Sequence, residues 1–225
     1  MSFMLTKDGI YYVIEDGGSG VALVFLHGNG EDSSIFERFS REFPGRNKVF
    51  IDTRGHGKSA KRLGKCGFFD LADDIRTVLT EAGIEKAFLI GFSDGGNTAL
   101  HFLIRYPEFS VGAAVIGANI FPGGMVFRWR AAVFFACLFA RGERKALLRL
   151  MRKEPRLEFK SLSRINAPVL VMAGSRDMIK ASHTRNIARS VPGAELYTGQ
   201  GGHMFIFEDG GKAAAARIME FASKQ

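Results

Sequence analysis

The chain of 225 residues is 46% hydrophobic and 24% charged, so it reads as a soluble globular protein with enough apolar material for one sizeable core. A formal charge of +8 raises nucleic acid or an acidic membrane surface as partners, but the basic residues are spread along the chain; a cationic solvated surface is the simpler reading, and no nucleic acid is expected. Cys66 and Cys137 stand far apart with neither a pairing pattern nor metal-ligand spacing, which argues against a disulfide framework and a zinc site.

The first residues, Met1 to Asp8, lack a signal-type apolar run, and a cytoplasmic, reduced setting is expected. Leu5 to Glu15, followed by Asp16-Gly-Gly-Ser-Gly20, predicts a hairpin or edge strand that ends in a flexible turn. Val21 to Leu26 is a short, uniformly apolar run, which suits a strand buried on both faces of a parallel sheet. It empties into His27-Gly-Asn-Gly30, and a helix is expected over Glu31 to Phe43. Lys48 to Asp52 reads as the next strand, leading into Thr53-Arg-Gly-His-Gly-Lys-Ser59.

Two nucleotide-binding patterns arise here. Gly57-Lys58-Ser59 resembles the end of a phosphate-binding loop, but that motif needs a glycine where Asp52 stands. Gly28-x-Gly30-x-x-Ser33 with Asp52 after the next strand is closer to a dinucleotide fingerprint, with Ser33 in place of its third glycine. A Rossmann-type NAD(P)-dependent oxidoreductase therefore stays open as an alternative.

Phe68 to Ala82 is an amphipathic helix with Leu71, Ile75, Val78 and Leu79 on one face; Asp73, Asp74 and Arg76 are expected to solvate the other, and Gly83 closes it. The strand at 86–91 then delivers Gly91-Phe92-Ser93-Asp94-Gly95, a G-x-S-x-G motif. A serine at the tip of such a strand-to-helix turn exposes its hydroxyl, with the N–H of the next residue directed at whatever it attacks. A helix follows through Thr98 to Tyr106 until Pro107. Further strands are expected at Val111 to Ile116, ending in Gly117-Ala-Asn119; at Pro168 to Ala173, ending in Gly174-Ser-Arg-Asp177; and at Ala194 to Tyr197, followed by Gly201-Gly-His203. Asp209 to Ala222 completes the pattern as a helix. Alternation of this kind predicts a doubly wound, predominantly parallel α/β sheet with helices on both faces.

In such a sheet reactive groups collect at the carboxyl ends of the strands, where Ser93, Asp177 and His203 all fall, in the order nucleophile, acid, histidine. With the loop at 27–30, Asp52-x-Arg-Gly-His-Gly-x-Ser59, the turn at 91–95, Pro168-Val-Leu-Val-x-x-Gly-x-x-Asp177 and Gly202-His203, the whole chain resembles the serine-nucleophile branch of the α/β-hydrolases. The resemblance implies Ser93 as nucleophile, His203 as general base and then acid, and Asp177 as the carboxylate that orients and stabilises the imidazole. It also implies an oxyanion hole from the backbone N–H groups of Asn29 and Asp94, with no metal and no cofactor. His27, His56, His101 and His183 are read as structural.

Residues 1–225 are expected to form one domain, with a short cap inserted at 120–157. Val126 to Ala140 is too short an apolar run to cross a bilayer and is read as a cap helix packed on the core, followed by a basic stretch from Arg141 to Lys153. A lid with an acyl pocket, a homodimer contact, or a basic surface that approaches lipid are the functional alternatives. Phe92, Phe121, Met125, Trp129 and Met204 are the candidate pocket residues. The serine favours hydrolysis of a small ester or thioester through an acyl-enzyme, with C–C bond hydrolysis of a small keto acid or cofactor-free perhydrolysis as variants. A non-catalytic ligand-binding protein of the same fold is the alternative from another class.

Overall fold

The computed structural model describes residues 1–18 and 20–224, so Ser19 of the expected flexible turn lies outside the described residues. Among the described residues one sheet is built from β1 (Ser2–Leu5), β2 (Tyr11–Glu15), β3 (Ala22–Leu26), β4 (Lys48–Ile51), β5 (Ala87–Phe92), β6 (Ser110–Ile116), β7 (Val169–Gly174) and β8 (Glu195–Gly199). Its spatial order is β1-β2-β4-β3-β5-β6-β7-β8. β2 runs antiparallel to both β1 and β4, and every pairing from β4 through β8 is parallel. The amino-terminal hairpin is thus present, beginning at Ser2 instead of Leu5.

The helices are α1 (Phe68–Glu81), α2 (Asp94–Arg105), α3 (Phe127–Phe139), α4 (Gly142–Lys153), α5 (Ala181–Ser190) and α6 (Gly211–Ala222). Period-two side-chain alternation in β3 shows why two helical layers are needed. Val24 and Leu26 join a cluster with Leu79, Leu100 and Ile187 from α1, α2 and α5, whereas Leu23 and Phe25 join a second cluster with Phe36, Phe43 and Ile218, the last from α6. The doubly wound architecture follows directly from these uniformly apolar strands.

Residues 31–43 do not form the expected helix. Two 3₁₀ turns, Ser33–Phe36 and Phe39–Glu42, occupy the segment instead. Asp32 accepts the Ser34 N–H at 2.9 Å and Asp52 accepts the Ser33 N–H at 2.8 Å, so side chains capture the amides that would start a longer helix. Phe36 and Phe43 then pack on Phe25, with ring centroids 5.2 and 5.7 Å away.

α1 forms where the periodicity placed it, but Asp74 is not on a solvated face. It is 4% exposed and binds Arg54 Nη2 at 2.7 Å and Lys61 Nζ at 2.9 Å. Asp73 likewise accepts a hydrogen bond from the Tyr106 hydroxyl at 2.7 Å. The pattern of apolar positions located the core side of the helix but could not reveal that the 53–63 loop folds over its other side.

The cap segment carries α3 and α4, and only the second is anchored to the body: Leu150 of α4 packs with Leu63, Phe68 and Leu71. The expectation that the apolar helix at 126–140 packs on the core is not met, because Val133 and Cys137 are the only residues of α3 that are buried.

Removing one partner of a buried ion pair strands the others without compensation. Asp74→Ala is expected to cost about 3 kcal/mol, read as a lower urea midpoint at unchanged slope. A loss under about 1 kcal/mol would mean that the pair does not hold the 53–63 loop to α1.

Candidate active site

Ser93 sits between the last residue of β5 and the first of α2, with φ 53° and ψ −115°. It is the one non-glycine residue with positive φ among the described residues. A side chain held there costs on the order of 1–3 kcal/mol, so the surroundings must impose it. They do so through backbone bonds from Ser93 N–H to the Ile116 carbonyl at 2.8 Å and from Asn97 N–H to the Ser93 carbonyl at 3.0 Å. They also do so through crowding. A Cβ on Gly91 would be driven into the Gly95 carbonyl, and one on Gly95 into the Leu26 carbonyl at the end of β3.

Asp177 lies just beyond β7 and His203 beyond β8, and the parallel sheet brings both to Ser93. His203 Nε2 is 3.0 Å from Ser93 Oγ, and His203 Nδ1 is 2.7 Å from Asp177 Oδ1. The Asp177 side chain is 2% exposed, and its oxygens also accept from the Ile179 N–H at 2.9 Å and the Gly174 N–H at 3.2 Å. Burial works to raise the Asp177 carboxyl, but the His203 hydrogen bond and charge, with those two amides, outweigh it and hold the group below its ordinary range. An ionised acceptor at Nδ1 fixes the tautomer that leaves Nε2 free to accept the Ser93 proton. Phe92 lies under the imidazole, with ring centroids 4.9 Å apart.

The 27–30 loop is pinned from behind. His27 Nδ1 donates to the Gly28 carbonyl at 2.7 Å while Nε2 accepts the Thr53 N–H at 3.0 Å. Gly28 N–H goes to Glu31 Oε2 at 3.0 Å and Gly30 N–H to His56 Nε2 at 3.0 Å. Asn29 N–H, between them, has no acceptor among the described residues. Asp94 N–H, first in α2, likewise has no intrahelical partner and lies at the positive end of the helix. The side chains of the same two residues meet, Asn29 Nδ2 donating to Asp94 Oδ2 at 2.9 Å, and Asn97 Nδ2 donates to Asp94 Oδ1 at 3.1 Å. Burial pushes the carboxyls of Asp94 and Glu31 up, against the hydrogen bonds they accept.

The space directly over Ser93 is about 10 Å³, room for about one water, and is lined by Asp94, Asn119, Met125, Met151, Glu154, Met178 and Ile179. Of the five expected pocket residues only Met125 is among them. Phe92 is buried beneath His203, Phe121 packs on His183 and Phe159, Trp129 stands half-exposed on α3, and Met204 packs with the cluster beneath the sheet. Met178 and Ile179 adjoin Asp177 in sequence and were legible from that adjacency; Glu31, Met151 and Glu154 carried no sequence signal.

Asp52 is buried and serves as a loop anchor. Its carboxylate accepts from Ser33 N–H and Lys58 N–H, both at 2.8 Å, so the dinucleotide reading is set aside. Among the described residues no group of His, Cys, Asp and Glu side chains is arranged to hold a metal. His101 Nδ1–H donates to the Asn97 carbonyl at 2.7 Å, and His183 Nε2 accepts the Ile120 N–H at 3.1 Å.

A family model described as the alpha/beta hydrolase fold matches residues 21–144. The chain belongs to the α/β-hydrolase fold family. An AB hydrolase superfamily protein of Bacillus subtilis, YisY, is 31% identical over 116 residues, which is 51% of this chain and 43% of that protein. A 2-succinyl-6-hydroxy-2,4-cyclohexadiene-1-carboxylate synthase of Citrobacter koseri is 38% identical over 78 residues, 35% of this chain and 31% of the synthase. The matched stretch thus spans less than half the length of either curated relative. Among solved structures, the esterase EaEST from Exiguobacterium antarcticum superimposes with a TM-score of 0.81 at 19% identity, covering 99% of each chain, a likeness of fold.

Burial depresses His27, His101 and His183 from the ordinary 6.5 to about 4. Folded-state values below the unfolded one mean that the unfolded chain binds more protons between pH 6.5 and about 4. Their contribution is complete above that window and is lost as the pH falls through it. Unfolding free energy is therefore expected to fall from pH 7.5 to about 5, and less steeply in His101→Gln than in the parent. Equal slopes would show that His101 is not held neutral.

Proposed function

We propose that this α/β-hydrolase cleaves small, uncharged carboxylic esters or thioesters through an acyl-enzyme on Ser93. The observation that carries the reading is the unbroken chain from Ser93 Oγ to His203 Nε2 at 3.0 Å and from His203 Nδ1 to Asp177 Oδ1 at 2.7 Å, on a serine held in a strained turn. Ser93 Oγ attacks the substrate carbonyl as His203 takes its proton; Asp177 stabilises the imidazolium. The N–H groups of Asn29 and Asp94 stabilise the tetrahedral oxyanion, and such a donor is worth about 3 kcal/mol of barrier. Collapse expels the alcohol or thiol, which leaves with the proton from His203. Water, deprotonated by the same imidazole, then releases the acid and restores Ser93.

Two features narrow the class. The lining of the space over Ser93 includes Glu154 and Asp94 and no cationic side chain to pair with a substrate carboxylate, which favours neutral esters over keto-acid substrates of C–C hydrolysis. The space itself is too small for an acyl group, so Met125 and Met151 must move for substrate to enter. Residues 1–225 act in this reading as one domain with 120–157 as its cap. The neighbouring solved structures whose names include esterases agree with this reading at the level of fold.

A fluorophosphonate probe is expected to label the native chain and not Ser93→Ala, with p-nitrophenyl acetate turnover lost in parallel. Asp177→Asn is expected to lower kcat by about 10³-fold or more while KM changes little. A folded native chain that takes up no probe would remove the proposal.

A further inference from the structure

α3 is apolar nearly all round, yet the body of the protein covers only a narrow stripe of it. Val133 and Cys137, four residues apart, face inward. Phe135 at 60% and Phe139 at 84% exposure lie on the opposite side, with Phe127 and Leu138 beside them at 76% and 54%. Large aromatic side chains placed together in water mark a surface that meets something.

The charge around this face says what. From Phe127 to Lys153 the sequence carries eight arginine or lysine residues and one acid, Glu143. Arg128, Arg141, Arg144 and Arg149 are exposed and form no ion pair among the described residues. A second copy docking through the same face would bring two such basic surfaces together and repel. An anionic lipid surface takes both components at once, aromatic rings at the headgroup boundary and guanidinium groups on phosphates. The 13 residues of α3 can lie in such an interface, and no helix among the described residues is long and apolar enough to cross a membrane.

We propose that the α3–α4 cap docks on the surface of an anionic phospholipid bilayer. A groove of 350 Å³ between the two helices, lined among others by Phe134, Phe135, Met125 and Met151, opens on the docking face. Met125 and Met151 also line the space over Ser93, so the docked face adjoins the candidate active site. Docking itself needs no catalysis and stands apart from the hydrolase reading.

Trp129, the one tryptophan of the chain, lies on α3 and reports on the patch. The protein is titrated with vesicles of phosphatidylcholine alone and of phosphatidylcholine mixed with phosphatidylglycerol, reading Trp129 emission and vesicle flotation. Expected are a blue shift and flotation with the mixed vesicles, at least about tenfold weaker binding to phosphatidylcholine alone, and weakening by salt. The pairs Phe135→Ser with Phe139→Ser, and Arg141→Glu with Arg144→Glu, all at exposed positions, are each expected to cost about tenfold or more, while Ser93→Ala binds as the parent does. The proposal is overturned by equal affinity for both vesicles, by no flotation, or by flotation that both pairs leave unchanged. A dimer in sedimentation velocity that Phe135→Ser with Phe139→Ser dissociates would make a second copy the occupant and equally overturn it.

Discussion

The backbone of Ser93 is the constraint on which the rest of the site depends. A serine with φ 53° is stable only where its neighbours leave no alternative, and they are drawn from three strands: β5 delivers it, β6 accepts its N–H through Ile116, and β3 presses the Leu26 carbonyl against Gly95. The same placement starts α2 at Asp94, so one turn presents both the hydroxyl and a free N–H at a helix terminus. The parallel order of β5, β6, β7 and β8 then does what no local sequence can, bringing Asp177 and His203 from more than eighty residues downstream in sequence to hydrogen-bonding distance.

Around that turn the polar groups are used with little redundancy. His27 and His56 hold the 27–30 loop as neutral acceptors, and burial keeps His27 neutral down to about 4. Asp52 is spent on Ser33 and Lys58, Asp74 on Arg54 and Lys61. These groups position loops and touch nothing that reacts. In the proposed reading, Ser93, His203 and Asp177, with the N–H groups of Asn29 and Asp94, are the groups left to face a substrate.

What was legible in the sequence tracks the range of the interaction concerned. Uniform apolar runs such as Val21 to Leu26 announce buried parallel strands, and glycines around Ser93 announce a sharp turn, because each is a local steric or solvation requirement. The motif order along the chain was enough to pair Ser93 with Asp177 and His203. Side chains that arrive from the cap were not legible: Met151 and Glu154 meet the site only because Leu150 anchors α4 against Leu63, Phe68 and Leu71. The helix expected over 31–43 also does not form, because Asp32 and Asp52 capture the amides that it would need. For α3 the apolar composition suggested burial, and the exposed Phe135 and Phe139 show that composition alone cannot say which surface a helix will meet.

The central claim is that Ser93 Oγ and the N–H groups of Asn29 and Asp94 converge on one carbonyl. A crystal structure of the chain after reaction with a methyl fluorophosphonate tests it most directly. The account predicts a phosphorus–oxygen bond to Ser93, with the phosphonyl oxygen accepting hydrogen bonds from Asn29 and Asp94 N–H at about 3 Å. An adduct on another residue, or a phosphonyl oxygen turned away from both amides, would contradict it.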